Sequence, residues 1–376
     1  MAKLSVAQLK SIVASYVDSN KISVATFSDT YNNSVGLLDK IGKIMTIPMS
    51  YLDKLEIFNG EDLSFGKTIE EWQGDLILPE DYSEAGSDAL SPAGSTYRPV
   101  SFSFTLGRKK IKQTIRNNDI ERAVNNTDQF AEIIAQKYKA LTDSETLFKY
   151  NLKRQALGVL IARCVYAMDP TNATAWTDAN HTNINGLYKA SAEATDTYVL
   201  VKAYTAGDAS NFADAVAKGY VIKNDLVQEI AKPVDTSTGE AFVKAVKADV
   251  EIASDVSEGH SLNGNTLGAN DEAGLVLIML QGVNPVIDVD VLAGAFHTDK
   301  VALPSEIKVI PDFGNDATGT YAILVDRRIL RVFNTYRAVR ENVNGSGDFL
   351  NLFFHTENTA HISRNCFVKV YKPSAE

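Results

Sequence analysis

Five histidines, two cysteines and a few adjacent carboxylates are the residues of this 376-residue chain best suited to chemistry. His181, His260, His297, His355 and His361 show no zinc-binding spacing, such as two histidines four apart on a helix with a glutamate between. His355 and His361 read as flanking a turn between two strands, a chance pair rather than a metal site. Cys164 and Cys366 have no metal spacing and are too few for a disulfide framework, so they read as buried free thiols of a reducing cytoplasm. The chain contains no P-loop, no GxGxxG and no nucleophile elbow. The glycine-rich stretches near Gly264 and Gly345 follow no strand-to-helix phosphate pattern. The neighbours Glu70 and Glu71 have no apolar wall to raise a carboxyl pKa and read as solvated. Trp72 and Trp176 are isolated, which suits packing better than base stacking. No catalytic, cofactor-binding or metal-binding residue is expected, and the chain is not read as an enzyme.

The remaining features are architectural. The formal net charge of −10 and sequence pI near 5.1 argue against a protein that coats nucleic acid, which needs clustered Lys and Arg. At 45% hydrophobic and 22% charged residues the composition is globular, with length for two or three domains and a sizeable core. Residues 1–18 carry apolar positions at helical spacing rather than a signal-peptide core, and no apolar run is long enough to span a membrane. Val35 to Tyr51 repeats the helical pattern and ends at Pro48.

Thr68 to Leu78 reads as extended, Pro79 to Thr96 is rich in Gly, Ser, Ala and Pro, and Val100 to Leu106 alternates strictly. Together they predict a long two-stranded arm with a flexible tip, and a hairpin alone in water is marginal. Val100, Phe102, Phe104 and Leu106 share one face of its second strand. Its charges are lopsided. Glu70, Glu71, Asp75, Glu80, Asp81, Glu84 and Asp88 fall between Lys67 and Arg98 with no base among them. Arg98, Arg108, Lys109, Lys110, Lys112 and Arg116 follow. An acidic arm beside a basic base suggests the arm of one copy meeting the base of another. The candidate inter-subunit contacts are therefore Glu70, Glu71, Trp72, Asp75, Glu80, Asp81, Phe102, Phe104, Arg108, Lys109, Lys110 and Lys112.

From Thr127 to Met168 apolar residues recur at three- and four-residue steps, predicting one helix roughly 60 Å long, or one broken near Thr142-Asp143-Ser144, and ended by Pro170. Tyr198 to Val201 reads as a short strand and Asn211 to Lys218 as helical. Ser237-Thr238-Gly239-Glu240 reads as a capping box opening a helix through Phe242, Val246, Val250 and Ala253. Leu275 to Leu280 is continuously apolar, a strand buried on both faces. Asn284-Pro285 is read as cap and first residue of a short helix to about Leu292. Glu306 to Ile310 and Tyr321 to Val325 are further strands. Ile329 to Phe333, Phe349 to His355 and Ile362 to Tyr371 predict an antiparallel sheet, with a glycine-rich loop at Asn344 to Gly347.

In the order of these parts the chain resembles the major capsid proteins of tailed double-stranded DNA bacteriophages, the Johnson fold of the HK-ninety-seven type. The resemblance implies an α+β fold: an N-terminal arm over residues 1–66, an extended loop over 67–107, a peripheral domain with spine helix over 108–170, an axial domain over 171–325 including Asp290 to Phe296, and peripheral strands over 326–376. It implies hexamers and pentamers closing an icosahedral shell around DNA held without sequence-specific contact. It implies a virion protein assembled in the host cytoplasm, with scaffolding, portal and decoration proteins as partners and no membrane. With about 60 residues before the loop, a separate scaffolding protein or an upstream cleaved segment is expected. Some relatives crosslink a loop lysine to a neighbour's asparagine, but Glu70 to Tyr97 contains no lysine. The alternatives are an encapsulin-like cellular shell protein of the same fold, a tail or baseplate structural protein, and an enzyme with scattered catalytic groups.

Overall fold

The structure, a computed structural model, describes residues 51–63, 66, 69–71, 103–105, 107–116, 127–270, 272–287, 306–314, 317 and 319–374. The readings for residues 1–50 of the N-terminal arm, the body of the hairpin, Asp290 to Phe296 and His297 lie outside these residues. In chain order come β1 (Asn59–Asp62), β2 (Ser103–Thr105), β3 (Lys109–Arg116), α1 (Thr127–Met168), β4 (Thr174–Ala175), β5 (Leu187–Lys189) and β6 (Tyr198–Leu200). There follow α2 (Phe212–Ala217), β7 (Val221–Lys223), β8 (Val227–Glu229), α3 (Thr236–Ala253), β9 (Leu275–Leu280) and α4 (Asn284–Val286). Last are β10 (Glu306–Ile310), β11 (Ala322–Asp326), β12 (Leu330–Asn344), β13 (Phe349–Ile362) and β14 (Val368–Lys372). The fold is mixed α and β, as expected. No helix among the described residues is long and apolar enough to cross a membrane.

The chain divides into two compact units. The described part of the first holds most of β3, the first half of α1 and the ends of β12 and β13 that face the Asn344–Asp348 turn. Its core is Ile115, Leu141, Leu352 and Phe354, with Ile111 and Leu350 packed against them. The turn needs left-handed backbone at Asp348 (φ 50°), and the Asn344 side chain accepts from the Ser346 and Gly347 amides. Helix α1 has no break at Thr142-Asp143-Ser144. Thr142 donates its hydroxyl proton to the Lys139 carbonyl and Ser144 to the Ala140 carbonyl, so both side chains are satisfied without unwinding the turn.

In the second unit a five-stranded sheet runs β10-β9-β11-β14-β8. Strand β9 is parallel to β10 and antiparallel to β11, and β14 is antiparallel to β11 and parallel to β8. One face of β9 and β11, through Val276, Ile278, Ile323 and Val325, joins a core with Leu152, Ala156, Leu157, Leu160, Ile161 and Cys164 of α1. The other face, through Leu275, Leu277, Met279 and Leu324, packs on Phe242, Val243, Val246 and Val250 of α3. Two helical layers therefore account for the unbroken apolar run of β9. Cys164 and Cys366 are free and buried, as read, and burial pushes the Cys366 thiol up to about 12.

Five sequence readings change. The capping box belongs to Asp235 and Thr238: the Asp235 carboxylate accepts from the Thr238 amide at 2.8 Å, and Thr238 Oγ1 accepts from the Asp235 amide at 3.1 Å. Two overlapping signatures compete there, and the charged cap wins at the positive helix end. Helix α4 starts after Val283 without a side-chain cap, so Asn284 sits inside the helix. Ser363 to Phe367 leaves strand geometry, and β14 joins β11 and β8 instead of a C-terminal sheet. His355 and His361 flank no turn; both lie on the continuous strand β13. Trp176 is not isolated. It packs in an aromatic cluster, with ring centroids 4.8 Å from Tyr204, 5.4 Å from Tyr188 and 5.5 Å from Phe212, beside the sheet β4-β5-β6-β7.

Candidate functional site

Strand β13 organises the site. Its second half, Thr356-Glu357-Asn358-Thr359-Ala360-His361, is polar in sequence yet buried throughout. Buried polar groups need partners, and several of these partners come from the two ends of the 72–102 segment. On one side, β2 pairs with β13 antiparallel, with Ser103 opposite His361, Phe104 opposite Ala360 and Thr105 opposite Thr359. On the other, the Glu71 carboxylate accepts from the Ser363 hydroxyl at 2.6 Å and lies 3.4 Å from His361 Nε2, an ion-pair distance. Residues 71 and 103 thus both meet the chain at His361. The described part of the hairpin's second strand, Ser103 to Thr105, thus pairs with its own chain.

Glu71 departs from the solvated reading. Burial alone raises its carboxyl pKa, but the adjacent His361 imidazole and the hydrogen bond from Ser363 outweigh that and hold it below the ordinary 4.5. Ser363, His361 and Glu71 form no nucleophilic triad, because the serine hydroxyl donates to the carboxylate rather than to the imidazole. The group is a clasp.

The basic base begins beside it. Arg108 Nε lies 3.4 Å from Glu357, whose carboxylate is otherwise buried, and the guanidinium stacks 3.9 Å from the Tyr336 ring centroid. Lys109 and Lys110 are exposed, and so are Lys112 and Arg116 further along β3. The Lys112 ammonium sits 5.8 Å over the Phe353 ring. Glu70 is exposed. Phe104 is placed by its backbone pairing, while Trp72, Asp75, Glu80, Asp81 and Phe102 lie outside the described residues. Sequence reading missed Glu357, His361, Ser363 and Tyr336. No local signal marks them, because a polar run reads as a surface strand.

A second anchor holds the chain that enters this region. Lys153 on α1 is fully buried; its ammonium donates to Asp53 at 2.5 Å and to the Asn59 side-chain oxygen. Leu55 and Phe58, between those partners, are fully buried in the α1 core. Asn59 opens β1, which runs parallel to β12.

This arrangement fastens segments and offers no reacting centre. The profile of the Phi29-like phage major capsid protein family matches residues 4–366. The chain belongs to that family. This capsid protein is therefore a structural subunit of a phage shell, and its place is the virion. A viral family favours that reading over the encapsulin alternative, and the family's role is structural rather than catalytic. Its fold is that of a chain in the capsid structure of Staphylococcus phage Andhra, with a TM-score of 0.58 at 11% identity over 92% of this chain and 91% of that one. A chain in the capsid structure of the Cyanophage P-SCSP1u gives a TM-score of 0.49 at 8% identity, over 93% and 95% of the two chains. Comparison with curated proteins finds no match.

Proposed function

We propose that this capsid protein follows the Johnson-fold plan and assembles as hexamers and pentamers into an icosahedral shell around the phage DNA. In this reading residues 1–66 are an N-terminal arm and 67–107 an extended loop. Residues 108–170 supply the peripheral domain with α1 as spine, 171–325 the axial domain, and 326–376 the peripheral strands, with β14 returning to the axial sheet. The observation that carries the reading is the shared root: Glu71 and Ser103, the described residues on either side of the 72–102 segment, both meet His361. Such a segment gains burial only against something else, and a neighbouring copy is the surface always present in a shell.

The net charge of −10 suits a wall that contains DNA without trapping it. Scaffolding, portal and decoration proteins are the further partners, and assembly takes place in the host cytoplasm. Deleting Asp81 to Gly94 tests the loop. The expected product is a folded, soluble subunit that fails to close shells in electron micrographs; normal particles from this deletion overturn the reading.

A further inference from the structure

Helix α3 has unlike surfaces at its two ends. Just before it, Lys232 and Val234 stand in solvent on either side of the buried Pro233, with Val234 69% exposed. At its far end a groove of about 520 Å³ is lined by Glu251, Ile252, Asp255, Val256, Glu258 and His260. Ile252 and Val256 there are 40% and 58% exposed, unusual for large apolar side chains beside three acids.

The charges at the two ends are complementary. The acids near the start of α3 are committed locally: Asp235 caps the helix, Glu240 pairs with Lys244 and Glu229 pairs with Lys372. Lys232 makes no ion pair among the described residues, and neither do Glu251 and Asp255. The helix dipole adds partial negative charge at the end that carries the groove. Lys232 and Val234 cannot reach the groove of their own chain, because the 18-residue helix between them is about 27 Å long.

We propose that the Lys232–Val234 knob of one copy seats in the α3 groove of the next. Val234 then covers Ile252 and Val256, and Lys232 meets Glu251 and Asp255. A contact that joins two different patches is heterologous, and copies joined this way close into a ring when the rotation between them allows it. Helix α3 becomes the bar that passes the contact from copy to copy. The inference rests on the ring-forming reading above and names the surface that makes the ring.

The test uses the full chain, with assembly followed by native mass spectrometry and electron microscopy. Lys232→Glu with Val234→Asp changes two exposed positions, so circular dichroism should be unchanged while rings and shells are lost. Lys232→Glu alone should weaken assembly, most strongly at low salt, and Glu251→Lys with Asp255→Lys in the same chain should restore it. Assembly of the knob variant at the unaltered level overturns the contact, and so does failure of the compensating pair to restore Lys232→Glu. An unaltered chain that forms shells without any ring intermediate, or no shells, overturns the ring-forming reading itself, a result distinct from both.

Discussion

Replacing Lys153 by methionine asks how much one buried cation contributes to this fold. Methionine keeps most of the side-chain volume, so packing changes little. The electrostatic consequences are specific. Asp53, with its side chain only 10% exposed, keeps the Leu55 amide on one oxygen but loses the ammonium from the other, and Asn59 loses its donor. Breaking a buried pair by removing one partner costs about 3–5 kcal/mol. Burial already disfavours the charged Lys153 and lowers its pKa, with Asp53 only partly restoring it, and the Asp53 side chain is partly exposed. Both facts place the loss at the lower end, about 3 kcal/mol. At a urea dependence of about 3 kcal/mol per molar, the unfolding midpoint of the soluble subunit drops by about 1 M. The double variant Lys153→Met, Asp53→Asn removes the stranded charge while keeping an acceptor for Leu55, and should recover about 2 kcal/mol or more. A loss below about 1 kcal/mol in the single variant, or no recovery in the double, refutes the anchoring argument.

The Glu71 clasp predicts a pH window. Because the folded carboxyl lies below its ordinary 4.5, its contribution is fully present above 4.5 and disappears as pH falls through the lower folded value. Hydrogen exchange at residues 69–71, corrected for intrinsic rates, should accelerate over that acidic range in the unaltered chain, while Glu71→Gln should show weaker protection at neutral pH and no such step. For the basic base, Lys109→Glu with Lys110→Glu should impair shell assembly more at low salt than at high salt. Arg108 is left intact there because its guanidinium pairs with the buried Glu357. Salt-independent assembly by that variant counts against an electrostatic role for this strand.

Where one physical signal dominates, the sequence is easy to read. Helix α1 is legible because apolar residues recur at helical steps until Pro170, and β9 because six successive apolar residues have no solvent-facing period. Sheet membership is a different matter. The alternation of Val368 to Tyr371 predicts a strand but carries no information about its neighbours, and β14 pairs with β11 and β8. The hardest stretch is Thr356 to His361. Its side chains look like those of a surface strand, and only partners distant in sequence, Glu71, Arg108 and β2, reveal why they are inside. The charge asymmetry of the candidate site is visible in sequence, whereas the clasp that locates it depends on residues 292 positions apart.

That difficulty has a physical origin tied to the work of a shell subunit. Hydrophobic burial is roughly proportional to area and has no preferred direction, so an apolar root would hold the 72–102 segment without fixing its exit. Hydrogen bonds and ion pairs weaken steeply off their preferred geometry. The Ser363–Glu71 bond, the Arg108–Glu357 pair and the β2 ladder therefore constrain angle as well as position. In the proposed reading, where the segment meets a neighbouring copy, such a root sets the orientation in which it arrives. Polar residues in that root then require a buried strand to carry them, and β13 meets the requirement by keeping Glu357, Thr359 and His361 out of water, with Ser363 buried just past its end.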